Sequence, residues 1–279
     1  MSNPHTLVFT DLDGTLLNQD DYQFEAALPV LQRLHQHRIP VIPVTSKTRA
    51  EVEWIRQQVA PDDPFIVENG SAIFYGRGDR RFVRSQPDAS NPDQRFEVVC
   101  LGCSYAEARQ GLSRLSYQVN TTLGGFSDLS EDALAELTGL KTEEIQRAKY
   151  REFTEPFVTP RSMPADMPKA AAQLGFRLVV GDRFSHLIGQ NAGKGRAVRQ
   201  VIAAYQSIHP HDTVHTIGLG NSPNDLEMLE VVDQAIVIPG RSGPHPELCD
   251  RGWAIAPLTG CRGWAASVAQ YLDKTLLND

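Results

Sequence analysis

The chain has 279 residues, 41% of them hydrophobic and 22% charged, with a formal net charge of −7. That length allows one large domain or two moderate ones, and the balance is globular rather than disordered. The charge argues against unselective binding to nucleic acid or to an anionic membrane, no uninterrupted apolar stretch is long enough to span a bilayer, and the start, MSNPHTLVFTDLD, lacks the ordered parts of a secretory signal, so a cytoplasmic protein is expected.

The first element is an apolar run, Leu7 to Phe9, which reads as a buried parallel strand. It ends in TDLDGT, with Asp11 and Asp13 one residue apart and Gly14-Thr15 behind them. Side chains alternate along extended chain, so Asp11 and Asp13 aim two carboxylates the same way. One can attack phosphorus while the other moves a proton; the competing reading is a solvated acidic turn. Residues 24–37 carry Phe24, Leu28, Leu31 and Leu34 at helical spacing, with Pro29 marking a start or a kink. Ile39 to Val44, IPVIPV, is the second strand, and it runs into Thr45, Ser46 and Lys47. The hydroxyls of Thr45 and Ser46 suit a phosphate, backed by the N–H groups of the next helix; simple capping is the alternative. Thr48 and Glu51 fit a capping box, with Val52, Ile55 and Val59 on one helix face. PFIVENGSAIF reads as two short strands around Glu68-Asn69-Gly70 and completes a β-α-β-α-β order.

The pattern then changes. Residues 85–95, SQPDASNPDQR, are polar and Pro-containing and make the best linker candidate. From Phe96 to Ile188 the expected order is one strand, four helices and two strands. Ser104 with Glu107 caps one helix, Ser130 and Gly139 bracket EDALAELT, and Gly175 stops a helix from Pro164 to Leu174. FRLVV and FSHLI form a hairpin about Gly181-Asp182. After a return linker near Gly189 to Gly193, α/β alternation resumes: helix 194–206, strand 214–218, helix 223–230, strand 235–238, and a last helix from Gly263 to Lys274. Lys194, flanked by glycines in NAGKGRAV, can neutralise a carboxylate and a phosphoryl group together, or be an ordinary surface lysine. HTIGLGNSPNDLEML ends a strand in Gly218-Leu219-Gly220 and follows it with Asn221, Asn224 and Asp225. These oxygen-rich side chains suit Mg²⁺, or else cap a helix. Cys100 and Cys103 form a single C-x-x-C and read as buried or half-buried thiols in a reducing compartment. His35, His37, His209 and His211 receive no role. The fold class is α/β, a doubly wound parallel sheet of residues 1–90 and 190–279, with an α+β insertion over 91–189.

The DLDGT strand end, a hydroxyl after the second strand, a lysine and a Gly-Asn/Asp strand end occur in that order. In this order and over essentially its whole length, the chain resembles the haloacid dehalogenase superfamily of phosphatases. VTSKTRAEVEWI, PFIVENGSAIF, YREFTEP and GDRFSHLIG are further similar to the mannosyl-3-phosphoglycerate phosphatase family. The resemblance implies a Rossmann-like core under a substrate-reading cap, and a Mg²⁺-dependent phosphoric monoester hydrolase of a compatible-solute pathway. It implies a phosphorylated sugar acid as substrate, mannosyl- or glucosyl-3-phosphoglycerate, and an aspartyl-phosphate on Asp11 with Asp13 as acid and base. Thr45, Ser46 and Lys194 would hold the phosphoryl oxygens, with Asp11, Asp13, Asn221 and Asp225 around the metal. Lys47, Arg49, Asn69, Arg151, Glu155, Arg183 and His186 occupy the family-like strings and are the implied substrate contacts. Arg would pair with the glycerate carboxylate, and Glu or His with sugar hydroxyls. One departure stands out: Gly220-Asn221 replaces the superfamily's Gly-Asp, and an amide offers a carbonyl oxygen without charge. A broad sugar-phosphate phosphatase, a phosphomutase, and a weakly active or non-catalytic ligand-binding homologue are the alternatives. Neither the sugar nor the oligomeric state is readable from the residues.

Overall fold

The computed structural model describes residues 5–83, 95–181 and 183–276. The 85–95 linker candidate lies outside them except for Arg95, as does Asp182 of the expected hairpin turn.

The first apolar run forms β1 (His5–Thr10), and every residue of it after His5 is buried. A short 3₁₀ turn leads into α1 (Leu28–Gln36), with Pro29 in its first turn, where no N–H is needed. β2 (Val41–Pro43) follows, then α2 (Arg49–Val59), whose capping box between Thr48 and Glu51 is present as expected. β3 (Phe65–Val67), β4 (Ala72–Gly76) and β5 (Phe96–Cys100) come next, then α3 (Tyr105–Gln118), α4 (Glu131–Thr138) and α5 (Thr142–Lys149). β6 (Glu155–Val158), α6 (Met167–Gln173), β7 (Phe176–Val179) and β8 (Phe184–Gly189) complete the middle of the chain. The last part holds α7 (Lys194–Ile208), β9 (Val214–Gly220), the four-residue α8 (Leu226–Leu229), β10 (Gln234–Val237), β11 (Ala254–Ile255) and α9 (Gly260–Leu276).

The central sheet is parallel with strand order β11-β10-β9-β1-β2. Both faces are covered, which is why its strands read as continuous apolar runs. Val8 belongs to an apolar layer with Leu34, Val52, Ile55, Ile217 and Trp264. Leu7 and Phe9 belong to a second layer with Ile42, Val198, Val201, Tyr205 and Met228. From β1 the chain steps to β2 on one side and later returns to β9 on the other. The strand order therefore reverses at β1, and the crevice beyond the carboxyl ends of β1 and β9 is where such sheets bind ligands.

The third strand departs from the expected order. β3 joins the parallel sheet through a bridge between Val44 and Ile66, with the Thr45 N–H donating to the Ile66 carbonyl at 3.1 Å, and pairs antiparallel with β4, which pairs with β5. Pro43 and Pro64 lack N–H groups and precede this bridge, which limits the ladder on its amino side. β6 is an element the sequence did not suggest. Pro156 interrupts its apolar run, and the strand survives because it lies at the edge of an antiparallel sheet, β6-β8-β7. This sheet packs Phe157 and Leu187 against Leu112 and Leu115 of α3 and Met167 and Ala171 of α6. Together these elements give a doubly wound α/β core carrying an α+β cap.

Side-chain hydrogen bonds to backbone help to tie cap to core. The Glu68 side chain is fully buried and accepts the N–H groups of Glu152, Phe153 and Thr154 at 2.8, 3.2 and 2.8 Å, plus the Thr154 hydroxyl at 2.7 Å. The Thr48 hydroxyl donates to the Arg147 carbonyl at 2.8 Å. Cys100 is exposed and Cys103 half-buried, so the first of these thiols is more open than the sequence implied.

Glu68, Asn69 and Gly70 hold φ of 49°, 58° and 82°, a left-handed run between β3 and β4. A Cβ on Gly70 would collide with the carbonyl of Gly193, just ahead of α7. Gly70→Ala is therefore expected to cost about 1–3 kcal/mol, from strain at positive φ and this close approach. A lowered urea midpoint with unchanged slope would check it.

Candidate active site

The site forms where β1 and β9 end side by side. The Asp11 N–H donates to the Leu219 carbonyl at 2.9 Å, which extends the β1–β9 ladder by one residue. The Thr10 hydroxyl donates to the Asp11 carbonyl at 2.7 Å and accepts the Trp264 indole N–H at 3.0 Å, so α9 braces the strand end from beneath. Asp11 is 5% exposed.

Lys194 opens α7 and carries its ammonium between two carboxylates. Nζ lies 2.7 Å from Asp11 Oδ1 and 2.6 Å from Asp225 Oδ1, and all three side chains are buried. The other oxygen of Asp225, Oδ2, accepts the N–H groups of Asn221 and Ser222 at 2.9 and 3.1 Å. Asp225 thus has both oxygens engaged and orders the loop after β9. Burial pushes the Asp11 carboxyl up to about 7; the charge of Asp225 adds to this and Lys194 opposes it. Burial alone would lower Lys194, but Asp11 and Asp225 outweigh it and hold the ammonium above its ordinary value.

Asp13 stands two residues on, partly open to solvent. Lys47 Nζ lies 3.0 Å from Asp13 Oδ1, off the hydrogen-bonding direction, and 3.6 Å from Glu51 Oε1. Burial works against this cation too, yet Asp13 and Glu51 raise it above its usual range. The turn at Gly14 has a φ of 76°, and a Cβ there would strike the Asn221 amide. Asn221 is therefore packed onto the DxDG turn, and its Oδ1 is buried without a partner among the described residues. Such an orphaned carbonyl oxygen, beside carboxylates, fits an oxygen-seeking divalent cation.

The remaining expected residues divide into groups. Thr45 is buried, and its hydroxyl accepts the Lys47 N–H at 3.2 Å while remaining able to donate. Ser46 turns its carbonyl to Arg151 at 3.1 Å. Asn69 reaches the β9 loop through Asn224 Nδ2, 3.2 Å from its Oδ1, and leaves its own Nδ2 buried and unpartnered among the described residues. Arg151 is 9% exposed and is also held by Thr154 at 2.8 Å. His186 leaves its Nδ1 buried without a partner among the described residues; burial pushes its pKa down to about 3, with Arg151 and Lys194 adding.

Three candidates are turned elsewhere. Arg49 pairs with Glu152 at 2.7 Å and Glu53 at 3.6 Å, bridging α2 and the loop before β6. Arg183 is exposed and donates to the Leu137 carbonyl at 3.0 Å, at the end of α4. Glu155 is paired opposite Leu187 while His186 is opposite Pro156, so by strand alternation Glu155 and His186 leave opposite faces of the sheet. Glu155 Oε1 instead accepts the N–H and hydroxyl of Ser127 at 3.1 and 2.9 Å.

Two residues at the site carried no expected role. Tyr22 adopts a left-handed φ of 56°, and its ring lies 5.1 Å from the Lys47 ammonium, close to Asp13. Its only sequence signal is the polar NQDDYQ turn. Glu68 sat within a quoted family-like string, but its burial against the 152–154 backbone has no local signature.

Comparison with known proteins follows from this geometry. Residues 8–87 match the model of the haloacid dehalogenase-like hydrolase family. A glucosyl-3-phosphoglycerate/mannosyl-3-phosphoglycerate phosphatase of Persephonella marina is 37% identical over 270 residues, covering 96% of this chain and 97% of that protein. A protein of the same description from Methanococcoides burtonii is 33% identical over 271 residues, covering 96% and 97%. Among solved structures, a haloacid dehalogenase-like hydrolase from B. subtilis superposes with a TM-score of 0.65 at 18% identity, covering 95% of this chain and 99% of that one. The sucrose-phosphatase of Synechocystis superposes with a TM-score of 0.57 at 16% identity, covering 96% and 98%. Both structures speak to the fold alone.

Lys194→Met would leave two buried carboxylates facing each other without their cation. It is expected to destabilise the protein by about 3–5 kcal/mol at neutral pH. Adding Asp225→Asn should recover part of that loss, and a double-mutant cycle by denaturant unfolding measures the coupling.

Proposed function

Because the chain belongs to the haloacid dehalogenase-like hydrolases, and within them to the family of the glucosyl-3-phosphoglycerate/mannosyl-3-phosphoglycerate phosphatases, we propose that it removes phosphate from a glycosyl-3-phosphoglycerate. The observation that carries the chemistry is the buried Asp11–Lys194–Asp225 triad at the carboxyl end of β1, with Asp13 beside it. In this reading residues 91–189 act as the cap over a core of residues 1–90 and 190–279.

Lys194 engages Asp11 Oδ1, which leaves Oδ2 as the attacking atom. A new bond forms from Oδ2 to phosphorus as the ester P–O bond breaks, giving an aspartyl-phosphate. Asp13 gives its proton to the departing alkoxide. It then takes a proton from water, whose oxygen attacks phosphorus and frees Asp11 and inorganic phosphate. Lys47 faces Asp13 and in this role orients it rather than contacting the sugar acid. Thr45, Ser46 and Lys194 offer donors to the phosphoryl oxygens as charge spreads over them.

Asp11, the backbone carbonyl of Asp13 and the unpartnered Asn221 Oδ1 would hold Mg²⁺, with Asp225 ordering the loop that presents Asn221. Bound there, the ion supplies positive charge that favours the ionised form of Asp11 and offsets charge on the transferring group. On the cap side, His186 feels the charges of both Arg151 and Lys194, so His186 and Arg151 are the favoured contacts for the organic part. A neutral His186 can accept from or donate to a sugar hydroxyl, and Asn69 offers its free amide from the core.

Phosphate release is to be measured with mannosyl- and glucosyl-3-phosphoglycerate against simple sugar phosphates, with Mg²⁺ and with chelator. Metal-dependent release that favours the glycosyl-phosphoglycerates is expected; equal rates on every sugar phosphate would support a broad phosphatase instead. Asp11→Asn should abolish turnover in a folded protein, and Asp13→Asn should reduce it by roughly 10²–10⁴-fold.

Asn221 gives a sharper test. Replacing its amide by a carboxylate adds a charge next to a divalent ion. Asn221→Asp should lower the Mg²⁺ concentration for half-maximal activity, with the gain shrinking toward saturation. Identical Mg²⁺ titrations for both proteins would place Asn221 outside the coordination shell.

A further inference from the structure

A second group of side chains gathers at the opposite end of the parallel sheet. β1 rises about 3.3 Å per residue, so His5 stands about 20 Å along the strand from Asp11. The His5 N–H donates to the Thr213 carbonyl at 2.9 Å, fixing the strand's start against the turn between α7 and β9. That turn begins at His209, the residue that ends α7, and the Asp212 N–H closes it on the His209 carbonyl at 3.2 Å.

Three donor atoms converge here. Asp212 Oδ2 lies 3.4 Å from His5 Nε2 and 3.5 Å from His209 Nδ1, and one ligand atom from each residue lies within 4.8 Å of the other two. Ligands about 2.0–2.1 Å from a tetrahedral zinc are separated by about 3.3–3.4 Å. The spacing to Asp212 is thus that of a coordination shell, with one nitrogen of each imidazole close to the same carboxylate oxygen.

The surroundings hold the His5 ring as a ligand would be held. His5 Nδ1 lies 2.5 Å from the Tyr205 hydroxyl. That contact fixes the ring and lets Nδ1 carry the proton, leaving the Nε2 lone pair toward Asp212. The His209 ring stacks on Tyr205 with centroids 4.4 Å apart, and its Nε2 is buried with no partner among the described residues. Tyr205 itself is 5% exposed, so the platform beneath both rings is rigid.

We propose that His5, His209 and Asp212 form a zinc site, separate from the carboxylate site, with its fourth position open to water. Two imidazoles and one carboxylate suit Zn²⁺ and its borderline neighbours and not Mg²⁺, which seeks oxygen. The residues proposed to hold phosphate, Thr45, Ser46 and Lys194, lie at the other end of the sheet. The ion's effect is to staple the start of β1 to the end of α7, reinforcing the contact that His5 already makes with Tyr205.

The test uses the full chain without an affinity tag, in excess Mg²⁺ so that oxygen-rich sites are occupied. Zn²⁺ titration against a competing chelator should show one equivalent bound per chain and a raised thermal midpoint. Co²⁺ in its place should give the strong visible bands of a tetrahedral ion. His209→Ala and Asp212→Asn should each remove that binding and spectrum while Mg²⁺-supported phosphatase activity is kept. Tyr205→Phe keeps the packing and should weaken zinc by about 10–100-fold. Circular dichroism of Asp212→Asn, the most conservative change, separates lost binding from lost folding. Failure to bind Zn²⁺ at micromolar concentration in excess Mg²⁺ would overturn the proposal and leave a plain histidine–aspartate network. Zinc binding that survives both His209→Ala and Asp212→Asn would overturn it as well, by placing the ion among the carboxylates.

Discussion

A single buried ammonium, Lys194, holds two carboxylates that would otherwise repel each other, and much of the architecture serves to bring it there. Asp11 comes from the end of β1, Asp225 from the loop after β9, and Lys194 from the first turn of α7. Removing three charges from water is expensive, and attraction at short range offsets that cost only when geometry and further hydrogen bonds are good. Here Asp225 is completed by two backbone N–H groups, and Asp11 is fixed by the ladder to Leu219. The triad still carries one excess negative charge. Burial first, and the charge of Asp225 after it, push Asp11 upward, and a cation beside Asn221 would offset the excess negative charge.

The position of Lys194 depends in turn on the left-handed run at Glu68-Asn69-Gly70. Gly70 lets that turn touch the backbone of Gly193, so the strand hairpin of the core sets where α7 begins. The same turn points Glu68 at the 152–154 backbone of the cap. Arg151, anchored by Thr154, then reaches across to the Ser46 carbonyl behind β2. One short segment thus sets the phosphate-side lysine and the cap-side arginine together. A cap fastened so close to the site is positioned to read the part of the substrate that phosphate chemistry ignores.

What the sequence disclosed and what it hid follow from the range of each interaction. Asp11, Asp13, Thr45, Lys194 and Asp225 were legible because each lies at a strand end or helix start, marked by nearby glycines or a capping box. Glu68 was not, because its partners lie 84 to 86 residues away and no local pattern encodes them. Lys47 and Arg49 shared a family-like string with Ser46, yet Lys47, ahead of the helix, reaches Asp13, while Arg49, in its first turn, reaches Glu152. Glu155 and His186 were grouped by their strings and separated by strand alternation. β6 stayed hidden behind Pro156, whose missing N–H is tolerated only at a sheet edge. His209 was set aside as a loop residue, since only the fold brings it to His5, far away in sequence.

The parallel sheet has two chemically different ends, and its construction explains why. At the carboxyl ends, strands run into helix starts, where N–H groups point outward and favour anions and the oxygen ligands of hard cations. Asp11, Asn221 and Lys194 all sit there. At the amino ends, helices finish, and their exposed carbonyls favour imidazoles and other cation-bearing groups instead. His209 ends α7 at that edge, and His5 opens β1 beside it. The same polarity that prepares one edge for phosphate therefore prepares the other for nitrogen ligands, so two ions of different hardness can be sorted by one sheet without competing for the same residues.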